Sequence, residues 1–160
     1  MFRKLLKTDN DAAALVMRLT VAIVFFAHGA QKVLGWFGGY GASATIQGFS
    51  KMGLPPVITV LVMVAELGGS LLLLVGFLTR LGALAIGCVM AAATLMVHSK
   101  VGFFMNWAGM QKGEGFEYHL LALGLCIALL IKGGGALSVD HALSREDRAG
   151  AMAMPATPRM

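Results

Sequence analysis

Charge is what this chain most plainly lacks. Only 13% of its 160 residues are Asp, Glu, Lys or Arg, while 58% are hydrophobic, and the mean hydropathy is +0.77. Soluble domains carry about 25% charged residues, so a chain this poor in charge has no polar shell to set against water. Cysteine is nearly missing too. Cys88 and Cys126 are the two, with no C-x-x-C pair and neither outside an apolar run. That excludes a disulfide-stapled secreted scaffold and a thiol relay, which needs exposed paired cysteines; both are read as buried core thiols. Clusters of Lys and Arg outside the apolar runs are absent, which removes the footprint of a nucleic-acid binder. No haem, flavin or iron–sulfur motif occurs, and no apolar run shows strand alternation.

What the chain does have is four apolar stretches of the length a bilayer crossing needs, roughly 17 to 25 residues: 13–35, 57–78, 81–100 and 116–132. The predicted fold is all-α, a polytopic membrane protein built as a four-transmembrane-helix antiparallel bundle. Residues 1–143 are read as one membrane domain and 144–160, with "AGAMAMPATPRM", as a flexible cytoplasmic tail. "MFRKLLK" looks like the charged start of a secretory signal, but the apolar run after it is longer than such signals use and carries Arg18.

The connections differ in kind. Between the second and third runs stands little more than Thr79 and Arg80, a tight hairpin that makes those helices antiparallel neighbours. The first and third connections, "WFGGYGASATIQGFSKMGLPP" and "SKVGFFMNWAGMQKGEG", mix glycine with aromatics and suit the membrane interface. Pro55 and Pro56 mark the start of the second helix. Arg3, Lys4, Lys7, Arg80, Lys132, Arg145, Arg148 and Arg159 fall on one side, against Lys51, Lys100, Lys112 and at most Lys32 on the other. The positive-inside rule therefore places both termini in the cytoplasm of a cell whose inner (plasma) membrane holds the protein. This topology, with anionic lipid heads as partners, accounts for the pI near 9.6.

Within the apolar runs stand polar residues that need a reason. On helix 1, His28, Gln31 and Lys32 share a face at spacings of three and four. Glu66 falls about 15 Å below the outer surface at a rise of ~1.5 Å per residue. His98 closes helix 3 and Glu117, Tyr118 and His119 open helix 4. Charged groups at membrane depth cost a few kcal/mol and face a partner or a wet cavity. The expectation is thus an outward-facing polar pocket with Glu66 as its floor, paired to Lys32 or His28 or else protonated. Glu66 and His28 are the candidate catalytic pair, and Lys32, Gln31, His98, Glu117 and His119 the candidate ligand-binding groups. Blander readings exist: Lys32 and Arg18 as snorkelling side chains, His98 and His119 as interfacial histidines bonded to loop carbonyls, and Glu66 as an interhelical tie. No metal is expected, since no pair has a ligand spacing such as H-x-x-x-H. Ala83, Gly87 and Ala91 make a small-residue row for helix contact, within one chain or between two copies.

The motifs "AHGAQKVLG", "AELGGSLLLLVGFLTRLGAL", "VHSKVGFF", "GEGFEYHLLAL" and "KGGGALSVDHAL", in this order from about Arg18 to Leu143, resemble the DoxX family of small four-helix membrane proteins. The resemblance implies a four-helix transmembrane bundle, and an association with quinone-linked oxidation of sulfur compounds or with membrane complexes that resist oxidative stress. Gly29, Lys32, Glu66, Glu117 and Asp140 are matched motif positions. The chain is also similar in outline to quinone-reducing four-helix bundles, without their cysteine pairs. Three functions are carried forward: a quinone-linked redox subunit served by a partner redox protein, a non-enzymatic assembly or scaffold protein, and a small-solute or proton pathway, the last requiring a homo-oligomer. Ser138 and Asp140, after Gly133–Gly135, are expected to cap a short cytoplasmic helix.

Overall fold

The computed structural model describes residues 5–145. Among them no strand occurs, and the helices are α1 (Ala12–Leu34), α2 (Gly41–Lys51), α3 (Pro56–Val75), α4 (Thr79–Met96), α5 (Glu117–Lys132) and a last stretch, α6, at 139–145. The expected tail lies outside the described residues from 146 onward; 144 and 145 are helical.

Each boundary has a local cause. Asp11 caps α1, its Oδ1 accepting from the amides of Ala13 (2.8 Å) and Ala14 (3.2 Å). Pro55 and Pro56 open α3. Gly76, at φ 67°, ends it in a left-handed turn in which Phe77 N–H returns to Leu72 O, a conformation that costs glycine nothing. The hairpin is therefore Gly76–Phe77–Leu78, and Thr79 and Arg80, expected to be the turn, are the first residues of α4. The reason is a distant cap: Asp140 accepts from the amides of Leu78 (2.8 Å) and Thr79 (2.9 Å). Ser138 caps α6 as expected, accepting from His141 N–H, whereas Asp140 serves α4.

Helices α1, α3, α4 and α5 pack in sequence around a ring that closes between α5 and α1. Its axis is filled by Val21, Phe25, Leu73, Ile86, Cys126 and Leu129. Cys126 is thus a core thiol, but Cys88 is exposed on the outside of α4. The α3–α4 crossing is closest at Gly69 and Gly82, where a Cβ on Gly82 would meet Gly69 O at 2.9 Å. Ala83 and Gly87 turn instead toward the bundle, Gly87 facing Cys126.

Three helices, Ala12–Leu34, Pro56–Val75 and Thr79–Lys100 with its terminal 3-10 turn, are long and apolar enough to cross a membrane. With α5, they form a helical membrane bundle. Helix α5 has 16 residues, about 24 Å of rise, because Phe116 and Glu117 N–H groups are drawn into the preceding loop, bonding to Gly102 O and Phe103 O. The first long connection is not merely a loop. It contains α2, whose small and polar residues leave none of it fully buried and which rests on α1 and α3.

The two ends of the bundle are built differently. At the end where the described chain starts and finishes, Arg18 is 1% exposed and donates to the carbonyls of Leu73, Leu74, Gly134, Ala136 and Leu137. It was expected to snorkel; the carbonyls left open at the C-terminus of α3 hold it inside instead. Arg80 does the same for α5, donating to Leu130 O and Ile131 O and to Leu5 O and Lys7 O. The other end carries both long connections and is called the outer end below.

A polar cluster in the outer half of the bundle

Helix α3 is not α-helical throughout. Val64–Gly68 form a π-turn, a one-residue widening that recurs at functional sites because it re-aims a side chain. Here it carries Glu66, which is 3% exposed. The Lys32 ammonium lies 2.6 Å from Glu66 Oε2, with the lysine side chain 22% exposed. Of the two partners the sequence offered, Lys32 and His28, Lys32 is the one bonded to Glu66. Gly29, one turn before Lys32, is what lets α1 come close enough: a Cβ there would fall 2.6 Å from Leu67 N and 2.7 Å from Leu67 Cα, in the π-turn itself.

Around this pair stand the aromatic and imidazole groups of the outer half. His28 is exposed and within electrostatic reach of both Lys32 and Glu66. Tyr118 is similarly near Glu66. The rings of His98 and His119 stack with centroids 4.0 Å apart at 37°, and Tyr118 meets His119 edge-on at 5.5 Å. His119 in turn is within electrostatic reach of His28. His98 Nδ1 lies 2.8 Å from Glu114 O, the loop-carbonyl contact foreseen as the plainer reading.

Two sequence candidates are engaged elsewhere. Gln31 donates to Phe37 O at 3.1 Å, fixing the turn after α1. Glu117 Oε1 accepts from Met105 N–H (2.9 Å) and Trp107 Nε1 (3.2 Å), tying the second long loop to the start of α5. Glu114 does related work, accepting from Asn106 N–H at 2.7 Å. No group of three His, Cys, Asp or Glu among the described residues is placed to hold a metal ion.

Sequence reasoning passed over Thr59. It is fully buried, and its hydroxyl, the Tyr118 hydroxyl and His119 Nδ1 are buried polar atoms with no hydrogen-bond partner. The available signal was the spacing Thr59, Met63, Glu66, Ser70, which keeps one buried face of α3. Native interiors leave few such groups unsatisfied, and those few call for an explanation.

Two apolar grooves flank α3 on the lipid side. One, of about 810 Å³, lies against α4 and is lined by Ala65, Gly69, Gly82 and Cys88. The other, of about 360 Å³, lies against the end of α1 and is lined by Val33, Met63 and Leu67. Neither is lined by Glu66, Lys32 or the histidines.

A helical bundle with three spans of crossing length and a buried ion pair between them is an integral membrane protein. The family model described as DoxX matches residues 13–99. Inner membrane protein YqjF of Escherichia coli (strain K12) is 32% identical over 141 residues, covering 88% of this chain and 99% of that protein. The Bacillus subtilis (strain 168) protein named "Putative oxidoreductase CatD" is 29% identical over 119 residues, 74% of this chain and 79% of that one. No solved structure matches the chain. The chain belongs to the DoxX family.

Proposed function

We propose that this is an inner (plasma) membrane protein with four crossings and both termini in the cytoplasm, and that its outer-half cluster receives the headgroup of a quinone for a redox step linked to oxidative-stress protection. The observation that carries this reading is the buried Lys32–Glu66 pair, with unpartnered polar atoms of Tyr118, His119 and Thr59 in the same half of the bundle. A quinone headgroup is an uncharged ring with two carbonyl acceptors. It asks for an apolar setting with a few donors, and Lys32, Tyr118, Thr59 and an appropriately protonated His119 are donors. His28, open at the side of the cluster, is suited to a hydrogen bond with a quinone oxygen, and Glu66 to holding a proton next to it. Electrons come from a partner protein or a directly bound reductant, and the name of the Bacillus relative points the same way. The short α5 is read as the fourth crossing because it packs between α4 and α1 and runs antiparallel to α4, its start beside His98 and its end beside Arg80.

A second reading, a membrane assembly protein, is favoured by one observation. Trp107 (87% exposed), Tyr40 (87%) and Met110 (88%) stand out from the outer loops, a concentration of large apolar side chains that suits a partner surface. A solute or proton pathway through the whole bundle has the apolar axis against it.

The test is mass spectrometry of small molecules extracted from gently purified protein. Stoichiometric quinone in the native protein that is lost in a Glu66→Gln, His28→Ala variant supports the redox reading. Absence of quinone from both, with a co-purifying protein instead, replaces it by the assembly role.

A further inference from the structure

We infer that the outer half of the bundle holds a file of ordered water joining the Lys32–Glu66 pair to the loop-bearing end, and that protons exchange with Glu66 from that end only. This concerns access to the site and holds whichever ligand the site takes.

Three buried polar atoms of the outer half have no partner: the hydroxyls of Thr59 and Tyr118 and Nδ1 of His119; Thr79 Oγ1 and His141 Nδ1, also without one, lie at the inner end, beyond the apolar layer. Thr59 is fully buried and His119 is 5% exposed. They belong to the outermost turns of α3 and α5, so they share one level of the bundle, above Glu66. A buried hydroxyl left unpaired costs roughly 1 to 3 kcal/mol, and a polar site of this kind is where buried water is kept, each molecule taking about three hydrogen bonds. Water there has polar neighbours on both sides. Outward stands His98, partly exposed and stacked on His119 at 4.0 Å. Inward stands Glu66, reached electrostatically by Tyr118 and by His28. The titratable groups that face this space are therefore His28 and Lys32 from α1, Glu66 from α3, His98 from the end of α4, and Tyr118 and His119 from α5.

Toward the inner end the same axis is closed. Phe25, Ile86, Leu73 and Leu129 fill it, each no more than 2% exposed. Beneath them the Arg18 guanidinium has its donors committed to carbonyls, and a fixed positive charge is a barrier to a proton. The apolar layer of Phe25, Ile86, Leu73 and Leu129, backed by the Arg18 guanidinium, separates Glu66 from the inner end and gives the route its single direction.

The experiment combines two measurements. In native protein, radiolytic hydroxyl labelling read by mass spectrometry modifies side chains next to water: Tyr118 and His119 are expected to be oxidised, and Phe25 and Leu73 not. In oriented vesicles, with Cys88 and Cys126 replaced by alanine, a membrane-impermeant charged thiol reagent is expected to reach Thr59→Cys from the loop-bearing face and not from the other. Protection of Tyr118 and His119 in the folded protein overturns the water file even where the cysteine variants fail to fold. Labelling of Thr59→Cys from the inner face, or from neither, overturns the one-sided access. Either failure leaves the quinone measurement above standing on its own.

Discussion

Gly29 of α1 and Leu67 of α3 touch backbone to backbone: a Cβ added to Gly29 would lie 2.6 Å from the Leu67 amide nitrogen. Leu67 follows Glu66 within the π-turn, and Lys32 follows Gly29 by three residues on the same helix. The crossing that glycine permits is thus the one that brings the ammonium to the carboxylate. Gly29→Ala forces α1 away from the π-turn, with an overpacking cost of about 1 to 3 kcal/mol. The expected outcome is a lower melting temperature in detergent together with a weakened Lys32–Glu66 pair. An unchanged melting temperature sinks this account of Gly29.

Removing one member of that pair leaves the other charged in a buried place. Glu66→Gln and Lys32→Met are each expected to destabilise the protein by roughly 3 kcal/mol, whereas the double variant, which buries no lone charge, recovers most of that loss. Chemical denaturation of the four proteins closes the cycle. Recovery of stability without recovery of bound quinone separates a binding role from a merely structural one.

At the inner end, Arg18 meets five carbonyl oxygens from two segments. An ammonium has three donors and no planar fork, so Arg18→Lys cannot repeat the set. Arg18→Lys is expected to lower the melting temperature nearly as far as Arg18→Met, and a lysine variant as stable as the native protein contradicts the reading of this contact as a geometric staple.

Asp140 offers a milder case. It is fully buried and caps α4 from 61 and 62 residues away. Asp140→Ala is expected to cost about 1 to 2 kcal/mol, and Asp140→Asn, which keeps one acceptor oxygen, less. Amide exchange at Leu78 and Thr79 reports the loss directly.

Acid should weaken the inner end. Lys132 donates to Asp11 at 2.8 Å, and this bond, with the amides of α1, holds the Asp11 carboxyl below its ordinary range. A carboxyl whose folded value is depressed stabilises the fold above its unfolded value, and that contribution is lost as the pH falls through the folded one. Asp11→Asn is therefore expected to flatten the acid limb of a stability-against-pH profile and to leave the neutral region's slope unaltered.

The helices were legible because a bilayer demands long apolar runs, and some of their ends because Pro55, Pro56 and Gly133 interrupt them; the end at Gly76 was missed because the apolar residues run on through Leu78. The Lys32–Glu66 pairing was legible for a related reason: few charges stand at that depth, and each needs a partner. Arg18 was misread because the sequence shows a charge near a helix end and not the carbonyls brought to it from residues 134–137. Glu117 and Gln31 read as pocket groups because spacing gives the face of a helix but not the loop that competes for it. The π-turn has no signature of its own in "VAELG", whereas Thr59 was within reach of the helical spacing it shares with Met63, Glu66 and Ser70.

The partners of Arg18 also set an order in time. Three of its five acceptors, at Gly134, Ala136 and Leu137, come more than a hundred positions after it. When α1 first enters the bilayer from the ribosome, its guanidinium has none of those three, and an arginine without partners in a membrane helix is held toward the interface, where its cost is least. The nascent chain must therefore hold its first helix shallow, or in the care of the insertion machinery, until nearly the last of the membrane domain has been translated. Locking of the bundle is an end-of-synthesis event.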